Sequence, residues 1–361
     1  MEGRGKSRPS LFRNLPRVAP MEKWLFWFEE LSKEHNDLVG KKCAHLGEMH
    51  RIGMRVPYGF AVSVQGFETF MRETDTVREL EACIGTARDD LKRVEARLET
   101  SCQAREIIEA KPVPAVLEDE IRRYYRALCD KLGGKDIPVA VRSSGAVSMP
   151  GQMETYLNVT GEASVVEHVR KVWSSAYTAR AITFRLSEGL PLEWAPVGVA
   201  VMMLIDAKSA GVVLTVLPTT GDMTKIVIEG NWGLGESVVS GETTPDSFTV
   251  DKQTMEIVDR RIAHKVGMVD REAAGTRYMS VPEELRDVPC VTDEEIREIA
   301  RVALSVEEHF GVPQDMEWVT DKHLQVPDNL FWVQARPARY VKVEKTEEID
   351  YLIDLMVRIF K

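Results

Sequence analysis

The chain has no long apolar run, no paired cysteines and no clustered histidines, and each lack removes a class of protein. No segment of the 361 residues approaches the roughly 18 apolar residues that a membrane span needs. The longest apolar stretch, Val197 to Ile205, is strand-sized. The five cysteines, at 43, 83, 102, 129 and 290, are odd in number, widely spaced and contain no CxxC pair. That excludes a disulfide or zinc framework and fits a reducing cytosol, so a cytoplasmic location is expected. The seven histidines are scattered, with no Ser/His/Asp or HExxH arrangement. His45 and His50 fall on one predicted helix at a spacing of five, which is not a metal spacing, and a surface or capping role is expected for each. A net charge of −10 argues against a nucleic-acid partner but leaves room for a local basic pocket. The first twenty residues carry Arg4, Lys6, Arg8, Arg13 and Arg17 without an apolar core, and read as a flexible basic tail rather than a secretory signal.

What is present is ordinary globular composition, 44% hydrophobic and 29% charged, in a chain long enough for two lobes with a cleft between them. Trp24, Trp27, Phe28 and Leu31 recur at helical spacing and predict an amphipathic helix over 21–35. A glycine turn at Gly40 leads into a helix ending near Gly53, and 56–62 is a short extended piece. Residues 67–130 and 162–188 predict helices. Three β-branched runs, 197–205, 211–217 and 224–230, predict a meander, with Lys208-Ser209-Ala210-Gly211 as one separator. Residues 230–236 read as a second glycine loop and 247–266 as further strands. A helix over 292–310 begins with Asp293, Glu294 and Glu295, and strands follow at 314–320 and 330–336. The tail from 346 carries an apolar stripe of Ile349, Leu352, Leu355, Met356, Ile359 and Phe360.

The densest chemical signal runs from Val139 to Thr155. A β-branched strand delivers Arg142, Ser143 and Ser144 into a loop bracketed by Gly145 and Gly151. A fixed guanidinium, hydroxyls, free N–H groups and close-approach glycines are what a polyphosphate needs. Taken alone, the segment also fits a surface turn. Asp315 and Glu317, two apart on a predicted strand, share a face opposite Met316 and Trp318 and make a hard-cation site suited to Mg²⁺. Gln334 and Arg336 repeat that geometry on what looks like the adjacent strand; the acidic pair alone fits a solvated face equally. Lys42, at a helix start after a glycine, reaches a phosphate as a flexible point charge, or is a surface lysine.

In this order the pieces resemble the N-terminal ATP-grasp domain of phosphoenolpyruvate synthase, pyruvate phosphate dikinase and rifampicin phosphotransferase. The matching stretches are VGKKCAHLGEM, MRVPYGFAVS, VAVRSSGAVSMPGQMETYLNV, AYTARAITFR, VGVAVMMLIDAKSAGVVLTVLP, WGLGESVVSGETTPDSF, DMEW and FWVQARPARY, over about residues 38–340. The resemblance implies an α+β, two-lobed ATP-grasp fold with an antiparallel sheet in the C-terminal lobe and a nucleotide cleft between the lobes. It implies a basic tail at 1–20, an N-terminal lobe at 21–190, a C-terminal lobe at 191–341 and an amphipathic helix at 342–361. Lys42 and Arg142 would hold ATP phosphates, and Gly151, Gln152 and Thr155 would form the loop that covers them. Glu317 and Gln334 would ligand Mg²⁺ with Asp315 nearby, and Arg336 would contact the transferring phosphates. The strand end at Met202, Met203 and Leu204 would supply the adenine hinge through its backbone. Arg180 and Arg185 match family arginines in either a phosphate-contacting or a supporting role.

The chain departs from the family in three ways. Met202 stands where a glutamine is usual at the hinge, which leaves recognition to the backbone. The phosphate loop lacks the acidic insertion of phosphoenolpyruvate synthases and is closer to the dikinase form. No TSHAA-like phosphohistidine segment and no (β/α)8 domain occur. The resemblance therefore implies an ATP-binding subunit of a split dikinase-type phosphotransferase. It would pass the β-phosphoryl group of ATP to a histidine on a partner subunit and leave AMP and phosphate. By size and content that subunit resembles the one of phenylphosphate synthase, with phenol, pyruvate or a similar small acceptor bound on the partner. The alternatives are a noncatalytic nucleotide-sensing subunit, or an excised ATP-binding domain of a phosphoenolpyruvate synthase or rifampicin phosphotransferase. Retention of Lys42, Arg142, Glu317 and Arg336 together weighs against the sensor, and the C-terminal helix ending at Lys361 against excision.

Overall fold

The computed structural model describes residues 23–146, 151–239 and 241–341. The basic tail, the apolar stripe beyond 346 and the stretch 147–150 of the phosphate loop lie outside them.

The chain enters on strand β1 (Leu25–Trp27), not on a helix. The expected helix over 21–35 is replaced within the described residues by this strand and two 3-10 turns, Phe28–Glu30 and Lys33–His35. Aromatic residues favour a pleated, half-buried surface, and pairing with β2 (Gly59–Val62) outweighs the helical spacing. Leu25, Phe28 and Leu31 are buried all the same, and Trp27 stacks on Tyr124.

Helix α1 (Asn36–Arg51) precedes β2 and is broken at Gly40, whose φ of 76° and ψ of 161° are not helical. A Cβ there would lie 1.8 Å from the Ser144 carbonyl oxygen, so only glycine permits this approach. The expected glycine turn and helix are both present. Helices α2 (Val64–Glu73), α3 (Thr76–Ala87), α4 (Val94–Glu109) and α5 (Ala115–Lys131) follow as predicted. Next come β3 (Val139–Gly145), β4 (Thr155–Val159), α6 (Glu162–Ser175), α7 (Ala179–Ser187) and β5 (Val197–Met203). The first sheet has the order β1-β2-β5-β3-β4, with every pair antiparallel.

This placement corrects the meander. β5 is buried along nearly its whole length and lies between β2 and β3, as a central strand must. Strands β6 (Ala207–Leu214), β7 (Lys225–Trp232), β8 (Asp246–Asp251) and β9 (Ile257–Arg261) form the real meander, with the short helix α8 (Glu236–Val239) between β7 and β8. Lys208–Gly211 is no separator but the first half of β6. Its small residues serve close packing: the Ser209 and Thr320 hydroxyls meet at 2.7 Å, and a Cβ on Gly211 would strike the Glu229 carbonyl. The second glycine loop is likewise shorter than expected, because β7 runs on to Trp232.

A hairpin of β10 (Gly267–Arg271) and β11 (Thr276–Ser280) precedes α9 (Asp293–Phe310). Helix α9 opens on a capping box: Thr292 N–H donates to Glu295 at 2.8 Å, and Glu295 N–H donates to the Thr292 hydroxyl at 3.2 Å. Strands β12 (Gln314–Asp321) and β13 (Leu330–Pro337) complete a six-stranded antiparallel sheet, β13-β12-β6-β7-β8-β9. One cluster of buried side chains fills the helical side of the first sheet. A second joins α1 and the alanines of its sheet face, Ala61, Ala140 and Ala200, to α9 and the row Met316, Val213, Ile228 and Phe248. Helix α1 thus packs against both sheets, and the opposite face of the second sheet is left for chemistry. No helix among the described residues is long and apolar enough to cross a membrane.

Candidate functional site

Strand pairing brings the two sequence-predicted pairs together. β12 and β13 place Asp315 opposite Arg336 and Glu317 opposite Gln334. Met316 and Trp318 are fully buried against α9, so the carboxylates face the other way, into the cleft. Arg336 holds Asp315 through Nε at 2.9 Å and Nη2 at 2.8 Å, both on Oδ2.

The first sheet and helix α1 supply two further cations. Arg142 on β3 reaches across and donates from Nη2 to Glu317 Oε2 at 2.6 Å and from Nη1 to the Val333 carbonyl at 3.1 Å. Its buried Nε has no partner among the described residues. Lys42 stands on α1 within electrostatic reach of Arg142, Glu317 and Arg336, and among the described residues no carboxylate forms an ion pair with it. Burial, then the neighbouring Arg142 charge, lowers its ammonium from the ordinary 10.5 to about 7. Burial pushes the Glu317 carboxyl up, but Arg142 and Lys42 outweigh it and hold it below the usual value. Asp315 moves the opposite way, because burial exceeds the pull of Arg336.

Each arginine engages one oxygen of its own carboxylate, and strand geometry puts Asp315 and Glu317 on one face, with Gln334 directly opposite Glu317. Two carboxylates and an amide are hard oxygen donors, the set that holds Mg²⁺ when substrate phosphates complete the shell. The described residues contain no group of three or more His, Cys, Asp or Glu that would hold a metal unaided. An orphaned Arg142 N–H and an unpaired lysine beside such a set fit an anionic, metal-bound ligand.

Other expected residues fare differently. Ser144 is buried, and its hydroxyl accepts the Cys43 N–H at 3.0 Å, so it caps α1 instead of facing a phosphate. Thr155 is exposed at the start of β4, directly opposite Arg142. Gly151 is exposed with φ 69°, and the Gln152 carbonyl accepts the Thr178 hydroxyl at 2.7 Å. The Met202 side chain is buried in the second core cluster, which leaves only its backbone for a ligand, and that backbone pairs with Gly59 and Ala140. The N–H groups of Met203 and Leu204 donate to the Tyr58 and Pro138 carbonyls at 2.8 and 2.9 Å, so a hinge here has its carbonyls to offer. Arg185 is structural: it is buried over the Tyr177 ring and donates to the carbonyls of Pro191 and Trp194. Arg180 is exposed in a groove of about 380 Å³ with Gln152 and Phe184.

Two residues not singled out from the sequence, Glu229 and Glu236, also reach the site, and so does His45. The row Gln334, Glu317, Val212 and Glu229 runs across four strands on the cleft face. Burial alone raises the Glu229 carboxyl. Burial likewise raises Glu236, which accepts from Thr276 and lies within the field of Arg142. His45, expected in a surface or capping role, is partly buried, and its Nδ1 lies 2.9 Å from the Ala335 carbonyl. Spacing along one strand signals neither Glu229 nor His45, because both are placed by register between distant segments.

Two antiparallel sheets that close on a cleft lined by Lys42, Arg142, Asp315, Glu317, Gln334 and Arg336 define a nucleotide-binding unit of the ATP-grasp type. Residues 36–353 match the family described as pyruvate phosphate dikinase, AMP/ATP-binding domain, and the chain belongs to that family. It is 38% identical to a probable phosphoenolpyruvate synthase of Staphylothermus marinus, over 92% of this chain and 43% of the relative. It is 37% identical to the phosphoenolpyruvate synthase of Aeropyrum pernix, over 90% and 43%. Against the phosphoenolpyruvate synthase of Pyrococcus furiosus the identity is 33%, over 90% and 45%. The chain spans less than half the length of these relatives.

Proposed function

We propose that this chain is the ATP-binding portion of a dikinase-type phosphotransferase of the phosphoenolpyruvate synthase kind. The observation that carries the reading is the convergence of Lys42, Arg142, Asp315, Glu317, Gln334 and Arg336 from α1, β3, β12 and β13 on one cleft. Lys42, Arg142 and Arg336 hold and neutralise the ATP phosphates, while Glu317, Gln334 and Asp315 offer oxygens to Mg²⁺, which when bound spreads the developing phosphate charge. Gly151, Gln152 and Thr155 cover the phosphates, and the Met202–Leu204 backbone borders the base. Catalysis of this kind is positioning and charge neutralisation.

The β-phosphoryl group passes to a histidine on another domain or a partner chain and then to a small acceptor; AMP leaves as the α–β bond breaks, and one water is consumed as the γ-phosphate is released as phosphate. The names of the relatives favour pyruvate as that acceptor over the phenol of phenylphosphate synthase. They also favour the excised-domain reading over a dedicated subunit of a split enzyme. The test mixes the chain with [β-³²P]ATP, Mg²⁺ and the histidine-bearing domain of a phosphoenolpyruvate synthase relative. Label on that histidine with release of AMP is the expected result. ATP binding with no AMP formed in any combination supports a nucleotide sensor instead.

A further inference from the structure

β13 is the edge strand of the second sheet, and the first lobe occupies that edge at three points. The Arg55 carbonyl accepts the Trp332 N–H at 2.9 Å, Arg142 donates to the Val333 carbonyl, and the third contact is His45. Because a carbonyl only accepts, His45 Nδ1 carries the proton and donates to Ala335 at 2.9 Å. The ring lies against Phe310 of α9, with centroids 5.3 Å apart. Ala335 is the residue between Gln334 and Arg336. His45 also lies three residues after Lys42, on the same stripe of α1. One turn further on that stripe, Glu48 is fully buried and meets His309 of α9 at 2.8 Å, so the far end of α1 is fixed to the second lobe as well.

We infer that His45 is a positioning residue: its bond to the Ala335 carbonyl sets the Lys42-bearing helix against the strand that carries Gln334 and Arg336. The inference rests on the proposed phosphate site. The Cys43–Ser144 bond ties this end of α1 to the first sheet and His45 ties it to the second, so without His45 Lys42 is no longer set against β13. Loss of the bond therefore reduces the phosphate contact without reaching the base or the core.

The test measures ATP and AMP affinity calorimetrically in the full chain. Lys42→Ala sets the reference, weakening ATP more than AMP. His45→Phe keeps a ring on Phe310 but removes the donor, and is expected to reproduce that pattern with about a tenfold loss for ATP and an AMP affinity within about twofold of wild type. His45→Asn places an amide N–H where Nδ1 stood and is expected to restore ATP affinity. An unchanged His45→Phe, an equal loss of ATP and AMP, or no restoration by His45→Asn overturns the inference while leaving the site assignment intact. An unchanged Lys42→Ala overturns the site assignment itself, and the inference with it.

Discussion

Burial and the charge of Arg142 bring the Lys42 ammonium down to about 7, so near neutrality the free site holds this lysine about half protonated. A bound polyphosphate favours the charged form and raises that value. ATP affinity is therefore full below about pH 7 and falls as the pH rises above it, with a proton taken up on binding at pH 8. Calorimetry in buffers of different ionisation enthalpy measures the uptake directly; a pH-independent affinity with no uptake removes Lys42 from the phosphates. Glu317 carries a different expectation. Its partner Arg142 is mostly buried, so Glu317→Gln weakens a charged hydrogen bond and costs about 1–3 kcal/mol in a denaturant titration. The juxtaposition of Asp315, Glu317, Gln334 and Arg336 was legible because side chains two apart on a strand point the same way, and these four needed only their strands to pair. Ser144 was misjudged for a related reason. The next residue but one from Arg142 shares its face along the strand, but the helix N-terminus brought up by Gly40 claims the hydroxyl first.

Among the elements, helices with caps were the most readable. Asp293, Glu294 and Glu295 announce the start of α9, and the structure adds the Thr292 cap and the left-handed Gly311 at its ends. Thr292→Ala is expected to cost about 1 kcal/mol of stability and leave nucleotide affinity unchanged; a change in affinity places α9 closer to the site than its packing indicates. Strand order was less readable. Three successive β-branched runs look alike, and nothing local in Val197–Met203 says that its neighbours are β2 and β3 rather than β6. The β10–β11 hairpin was not legible as a hairpin, because distant segments hold it: Asn231, Leu234 and Glu236 from its own side, and Asn158 from the other sheet. Asn158, at φ 58°, donates to the carbonyls of Glu272 and Gly275 at 2.6 and 2.9 Å. Asn158→Leu removes both bonds, and faster amide exchange confined to 267–280 is the expected outcome. Protection unchanged there shows that the hairpin is held by Glu236 and Asn231 instead.

For the whole molecule, both the α+β architecture and membership of the dikinase nucleotide-binding family were legible through the resemblance carried by motifs in order along the chain. The acceptor was out of reach, since no side chain on this chain need touch it. The phenylphosphate reading rested on size and content, which phosphoenolpyruvate synthase relatives aligned over nine-tenths of the chain outweigh. The central claim is that one cleft, built by both sheets, binds ATP through Mg²⁺. Isothermal titration of the full chain with ATP and Mg²⁺ at pH 6.5, beside Glu317→Gln and Arg336→Ala, tests it most directly. One site in the wild type, weakened about 100-fold in each variant with the circular dichroism spectrum unchanged, is the predicted result. No binding by the wild type, or wild-type affinity in both variants, contradicts it.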